Sequence, residues 1–167
     1  MHELKEIRPE ELSENIFDLI GKQWMLVTAG TQSSFNTMTA SWGGMGVLWN
    51  SPVAFSFVRP QRYTNEFIER SDYYSLSFYD EKYRSALALC GKKSGREVDK
   101  LKETGLTPAF SDNTVYFSEA KLVLLCKKLY AGKFSPADFV DPQIEKNYQD
   151  KDYHNVYIGK IIKVLSK

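Results

Sequence analysis

Strand-like apolar runs recur along this chain with only short helical segments between them: WMLVTAG (24–30), PVAFSFV (52–58), YYSLSFY (73–79), KLVLLCKKLYAGKF (121–134) and HNVYIGKIIKVL (154–165). NTMTASWGG (36–44) adds a strand that alternates, with Thr37, Thr39 and Ser41 on one side and Met38, Ala40 and Trp42 on the other. That period suits one packed face and one face lining something polar. Helical patterns are fewer. Residues 9–21 place Leu12, Ile16, Leu19 and Ile20 on one face, with Gly21 as a stop. YTNEFIER, EKYRSALALC (stopped by Gly91) and SGREVDKLKETG (94–105) complete the set. A doubly wound sheet needs a helix after nearly every strand. This rhythm instead predicts a mainly β fold, a barrel or sandwich with short peripheral helices, and one domain over 1–167.

Charge and motif content exclude several functions. Net charge is +1, so no global field draws the chain to nucleic acid or to an anionic membrane. The opening MHELKEIRPEE has no apolar core, so no signal peptide is expected, and no run is long enough to span a membrane. Cys90 and Cys126 are the only cysteines and sit in apolar contexts, which predicts buried free thiols in a reducing, cytoplasmic setting. With two histidines they make no zinc signature. G-x-G-x-x-G after a strand and the Walker lysine motif are both absent.

Two basic clusters stand out. RPQRYT brings Arg59, Arg62, Tyr63 and Thr64 to the point where a strand ends and a helix begins. Free helix-start amides and guanidinium forks suit a phosphate. The plainer reading makes Thr64 an N-cap and the arginines solvated. KKSGREVDK repeats the theme, with Lys92, Lys93, Arg96 and Lys100 around Ser94 and Gly95. Ser94 and Glu97 also form a capping box, compatible with free amides nearby. Two basic helix starts in a near-neutral chain point to an organic phosphate. The hydroxyl-bearing strand 36–42 can serve a flat heterocycle with polar groups on its rim. Trp42 and Trp49 could flank such a ring or belong to the core; for Trp49 the core is expected.

N-T-M-T-A-S-W, R-P-x-R-Y-T, C-G-x-K-S-G-R-x-x-D-K and H-x-x-Y-I-G-K-I, in that order, resemble the flavin reductase-like family, the FMN-binding split β-barrel, and within it the flavoredoxin type. The likeness runs from about Trp24 to the end. It implies FMN with its ring along Asn36, Thr37, Met38, Thr39, Ala40, Ser41 and Trp42. It implies a phosphate held by Arg59 and Thr64 with Arg62 and Tyr63 beside it, and a second clamp from Ser94, Gly95, Arg96 and Lys100. Cys90 becomes a packing residue or a flavin-side neighbour rather than a redox thiol. His154 falls where the family keeps a histidine near the flavin, although on its strand it also reads as a core histidine. As functional groups, His154 or Lys100 would stabilise negative charge on reduced flavin. Lys160 departs from an often acidic family position. The chain ends soon after the last strand, so the resemblance implies an exposed ring face. Family members are homodimers with FMN near the interface.

The implied function is NAD(P)H-dependent reduction of bound FMN, with electrons passed to flavin, a protein or a small acceptor. Hydride transfer to flavin needs stacking more than acid–base groups, in keeping with the lack of any triad. A non-enzymatic FMN electron carrier and a flavin-free interaction module are the competing readings.

Overall fold

The computed structural model describes residues 3–167, so Met1 and His2 of the opening stretch lie outside the described residues. Among the described residues ten strands form in chain order: β1 (Lys5–Ile7), β2 (Met25–Thr31), β3 (Ser34–Ala40), β4 (Gly43–Leu48), β5 (Ser51–Val58), β6 (Tyr73–Phe78), β7 (Pro108–Ser111), β8 (Thr114–Phe117), β9 (Leu122–Lys133) and β10 (Asn155–Ser166). Four short helices accompany them: α1 (Ile16–Asp18), α2 (Tyr63–Arg70), α3 (Arg84–Lys92) and α4 (Lys100–Thr104).

The main sheet is antiparallel, ordered β3-β2-β6-β9-β10-β5-β4, with β1 added on β10. Laid flat, six strand spacings would separate β3 from β4 by about 29 Å. Yet only Ser41 and Trp42 join them, a link that reaches about 11 Å. The sheet must therefore roll until its edges meet. No ladder joins β3 to β4 among the described residues, so the barrel stays split along that line and both strands keep one free backbone edge.

The barrel is packed inside and out. Met25, Val27 and Ala29 of β2 and Leu122, Leu124 and Cys126 of β9 point into one core with Tyr74, Phe78 and Tyr157. Their alternates Leu26, Val123 and Leu125 point outward under Leu87 and Cys90 of α3. Burial on both faces is why these strands read as unbroken apolar runs.

Several sequence expectations need correction. The helix expected over 9–21 is broken: a 3-10 turn covers Pro9–Glu11, Asn15 caps α1 through Phe17 and Asp18 amides, and a π turn follows over Leu19–Gln23. The break lets Leu12 and Ile16 bend onto the same core as Leu19 and Ile20. Gly91 lies inside α3, which ends one residue later. Ser94 begins a turn, not a helix, because Asp99 supplies the cap and α4 starts at Lys100. Trp49 is 55% exposed. It and Asn50 occupy the two positive-φ positions of the β4–β5 hairpin turn, which hold it away from the core.

Candidate functional site

The free edge of β3 forms one wall of a groove. Lys100 Nζ donates to the Thr37 carbonyl at 2.6 Å, so that carbonyl points off the sheet edge. Backbone direction repeats every second residue, giving Thr39 the same outward amide and carbonyl. The threonine hydroxyls, by contrast, are used internally. Thr37 Oγ1 meets Thr28 Oγ1 at 2.8 Å, and Thr39 Oγ1 donates to the Leu87 carbonyl at 2.5 Å. The hydroxyl face expected to line the ligand thus packs on β2 and α3, and the strand offers its backbone edge instead.

At the β4 end the groove widens into a cavity of about 250 Å³ lined by Met38, Thr39, Ala40, Ser41, Trp42, Phe57, Arg59, Arg62 and His154. Trp42 is 46% exposed and lies 5.3 Å from the His154 ring, centroid to centroid. The connection between β9 and β10 backs this cavity, since Phe134 stacks on Phe57 at 5.5 Å and the Tyr148 hydroxyl lies 2.8 Å from His154 Nδ1. Arg59 is held by that connection: its guanidinium bonds the Asn147 carbonyl at 2.9 Å and Asp152 at 2.5 Å, and lies over the Tyr148 ring. The hydrogen bond from Gln61 and the Arg59 charge keep the Asp152 carboxyl below the usual range. Burial, with the Arg59 charge adding to it, lowers His154 to about 4, so it is neutral at pH 7.

A second cavity, about 160 Å³, adjoins the first and shares Met38 and Arg62 with it. Asn36, Gln61, Tyr63, Thr64, Lys92, Lys93, Ser94, Glu97 and Lys100 complete its lining. Here both basic clusters meet. Arg62 caps the C-terminus of α3 through the Gly91 and Cys90 carbonyls at 2.7 and 3.3 Å. Lys100 reaches the same Cys90 carbonyl at 3.1 Å, and burial, with the Arg62 charge adding to it, lowers its ammonium to about 8. Among the described residues no carboxylate pairs with Arg62, Lys92, Lys93 or Lys100. Glu97 is the only acid in the lining, and its carboxylate accepts from the Ser94 amide. Four cations beside one carboxylate, at the first turn of α2, suit a phosphate.

The remaining expected residues shape these cavities. Asn36 donates to Thr64 Oγ1 at 2.8 Å, tying β3 to α2. A Cβ on Gly95 would come within 2.2 Å of Asn36 Oδ1, so glycine is what lets the 94–98 turn close onto β3. Arg96 pairs with Glu66 and stacks 4.3 Å over Tyr63, lining a neighbouring cavity of about 570 Å³. Cys90 and Cys126 are free and buried, and burial raises both thiols. Phe57, Asn147, Tyr148 and Asp152 escaped sequence reading; the last three lie in a polar connection with no periodic signal. No group of metal-ligating side chains occurs, and no helix is long and apolar enough to cross a membrane, among the described residues.

The sequence matches the flavin reductase-like domain over residues 17–166. No curated protein matches. An FMN-binding protein from Thermus thermophilus has a similar fold, with 17% identity, TM-score 0.70, and coverage of 98% of this chain and 82% of that one. A flavoredoxin from Methanosarcina acetivorans gives 21%, 0.70, 96% and 76%. An NADH:FAD oxidoreductase from Streptomyces globisporus gives 14%, 0.65, 85% and 73%.

Proposed function

Because the chain belongs to the flavin reductase-like domain family, and so to the flavin-linked redox proteins, we propose that it is an FMN-dependent oxidoreductase drawing electrons from NADH or NADPH. It passes them to free flavin, a protein or a small acceptor. The observation that carries this reading is the sharing of Met38 and Arg62 by the two cavities along the free edge of β3. One elongated ligand can then place a flat polar-rimmed ring at one end and a phosphate at the other.

The residues divide the work accordingly. The outward backbone of Thr37 and Thr39, with Ser41, meets the ring rim, while Trp42, Phe57 and His154 wall the ring cavity. Arg62, Lys92, Lys93, Lys100, Ser94 and Thr64 hold the phosphate together with the first amides of α2. Arg59, placed at the ring end and bound to Asp152, anchors the β9–β10 connection. Bound FMN supplies the hydride and electron chemistry. The protein contributes position and a fixed electrostatic field. The functional unit is a single domain over 1–167 that acts as a homodimer, as the family resemblance implies, in the reducing cytoplasmic setting that its buried free thiols suit.

An absorption spectrum of the purified protein with FMN added, followed by anaerobic mixing with NADH and with NADPH, tests this. Flavin absorbance that bleaches rapidly with one nicotinamide is the expected result. Protein that takes up no FMN overturns the flavin reading. Bound flavin that bleaches only after a protein donor is added replaces the enzyme with an electron carrier.

A further inference from the structure

We infer that Tyr148 is a positioning residue for His154: its hydroxyl donates to Nδ1, fixes the ring as the Nε2–H tautomer and turns a neutral N–H donor toward the ring cavity. The two atoms are 2.8 Å apart, and both side chains are buried. The direction of the bond follows from what else is in reach. The Tyr148 hydroxyl has no other acceptor among the described residues, so its proton goes to Nδ1. An imidazole that accepts at Nδ1 and stays neutral carries its own proton on Nε2.

Nε2 has no protein partner among the described residues. Nor is it one of the buried polar atoms left unpaired, which are Ser56 Oγ, Tyr74 Oη, Ser77 Oγ, Tyr79 Oη and Asp152 Oδ1. It therefore opens on the cavity that His154 lines. The groups facing the imidazole are Trp42 from the β3–β4 link, Arg59 from the end of β5, and Tyr148 and Asp152 from the β9–β10 connection. Arg59 opposes a charge on the ring and Asp152 favours one, while the Tyr148 proton occupies the nitrogen that a second proton would need.

The consequence for binding is specific. His154 offers a ligand a hydrogen-bond donor and no cation, so it selects an acceptor atom at that point. That consequence rests on the flavin reading, whereas the tautomer does not. The Tyr148 ring has a separate packing role, since it stacks on Phe139 at 5.9 Å and lies under Arg59. Tyr148→Phe keeps this packing and removes only the hydroxyl.

Long-range ¹H–¹⁵N correlation spectra of the full chain test the inference, recorded with and without FMN in a His2→Gln background that leaves His154 as the single histidine. The expected spectrum has a protonated Nε2 and an unprotonated Nδ1 that persist from pH 5.5 to 8.5. Tyr148→Phe should lose this separation to averaged tautomers, while burial and the Arg59 charge, which the variant leaves in place, keep the ring neutral across that range. Asp152→Asn, which changes a neighbouring charge and leaves the hydroxyl, should keep the tautomer. A wild-type spectrum with Nδ1 protonated overturns the inference even without a folded variant. So does a Tyr148→Phe spectrum unchanged from wild type, or an Asp152→Asn spectrum altered as much as it. A chain that binds no FMN yet shows the expected tautomer sinks the flavin reading and leaves this one standing.

Discussion

At the α2 end of the groove, four cations line a cavity that holds a single carboxylate, whereas at the Trp42 end Arg59 is tied to Asp152 and His154 is neutral. Both ends draw on the same edge of β3, so the contrast comes from what packs against that edge. Near α2, Arg62, the end of α3 and the first residue of α4 bring in positive charge that no carboxylate pairs with among the described residues; Arg62 and Lys100 bond backbone carbonyls instead. Near Trp42, the β9–β10 connection brings aromatic rings and the carboxylate that quenches Arg59. A ligand with a fixed anion at one end and a ring of changing charge at the other suits this division. On the proposed reading, the uncompensated charge sits where the ligand's anion is permanent.

Arg62→Ala should break the contrast most severely. It removes a guanidinium from the cationic cavity and leaves the Gly91 carbonyl at the end of α3 uncapped, so FMN affinity should fall on the order of 100-fold in a fluorescence titration. Thermal stability should fall with it.

Lys100→Met should cost about tenfold in affinity, and its sharper signature is in pH. As pH rises through about 8, wild-type Lys100 loses its proton, the cavity loses one positive charge and FMN binds more weakly. Titrations across that range should show the fall in wild type and a flat profile in the variant.

Asp152→Asn works from the opposite end. Releasing the Arg59 charge into the ring cavity should stabilise reduced flavin and raise its two-electron potential by about 30 mV, read by anaerobic dye equilibration. A potential that does not move would mean that the ring end is not electrostatically quieted by this pair.

Trp49→Ser is the smallest change expected. The side chain stands at a hairpin turn away from both cavities, so stability in urea should stay within about 0.5 kcal/mol of wild type and FMN affinity should not change.

How far the sequence foretold this arrangement depended on the kind of signal each part carries. The strands of the barrel wall were legible because burial on both faces writes long apolar runs such as LVLLC. β7 and β8 were not, being four residues each around an Asp112-Asn113 turn. The single strand expected over 36–44 breaks at Ser41 and Trp42, so the start of β4 was read as the end of β3, and its glycines hid the rest. The 9–21 helix was overread because a helical face and two bent segments packing on one core produce the same spacing. In the site, RPQRYT and KKSGREVDK were visible as charge, but charge alone does not show orientation. Arg59 and Arg62, three residues apart, take different places, Arg59 lining the Trp42-end cavity and Arg62 standing where the two cavities meet, because one follows the end of β5 and the other immediately precedes α2. The hydroxyls of Thr37 and Thr39 looked available because no local pattern announces that α3 will pack on them. Tyr148 and Asp152 act from a connection whose partners lie some 90 residues earlier in the chain.

The division of charge along the groove is tested most directly by comparing FMN with riboflavin, which carries the same ring and no phosphate. Calorimetric titration of the protein with each, at neutral pH and low salt, should show FMN bound at least about 100-fold more tightly, with the difference shrinking as salt is added. Equal affinities for the two would contradict the account, because the cation-lined cavity would then contribute nothing to holding the ligand.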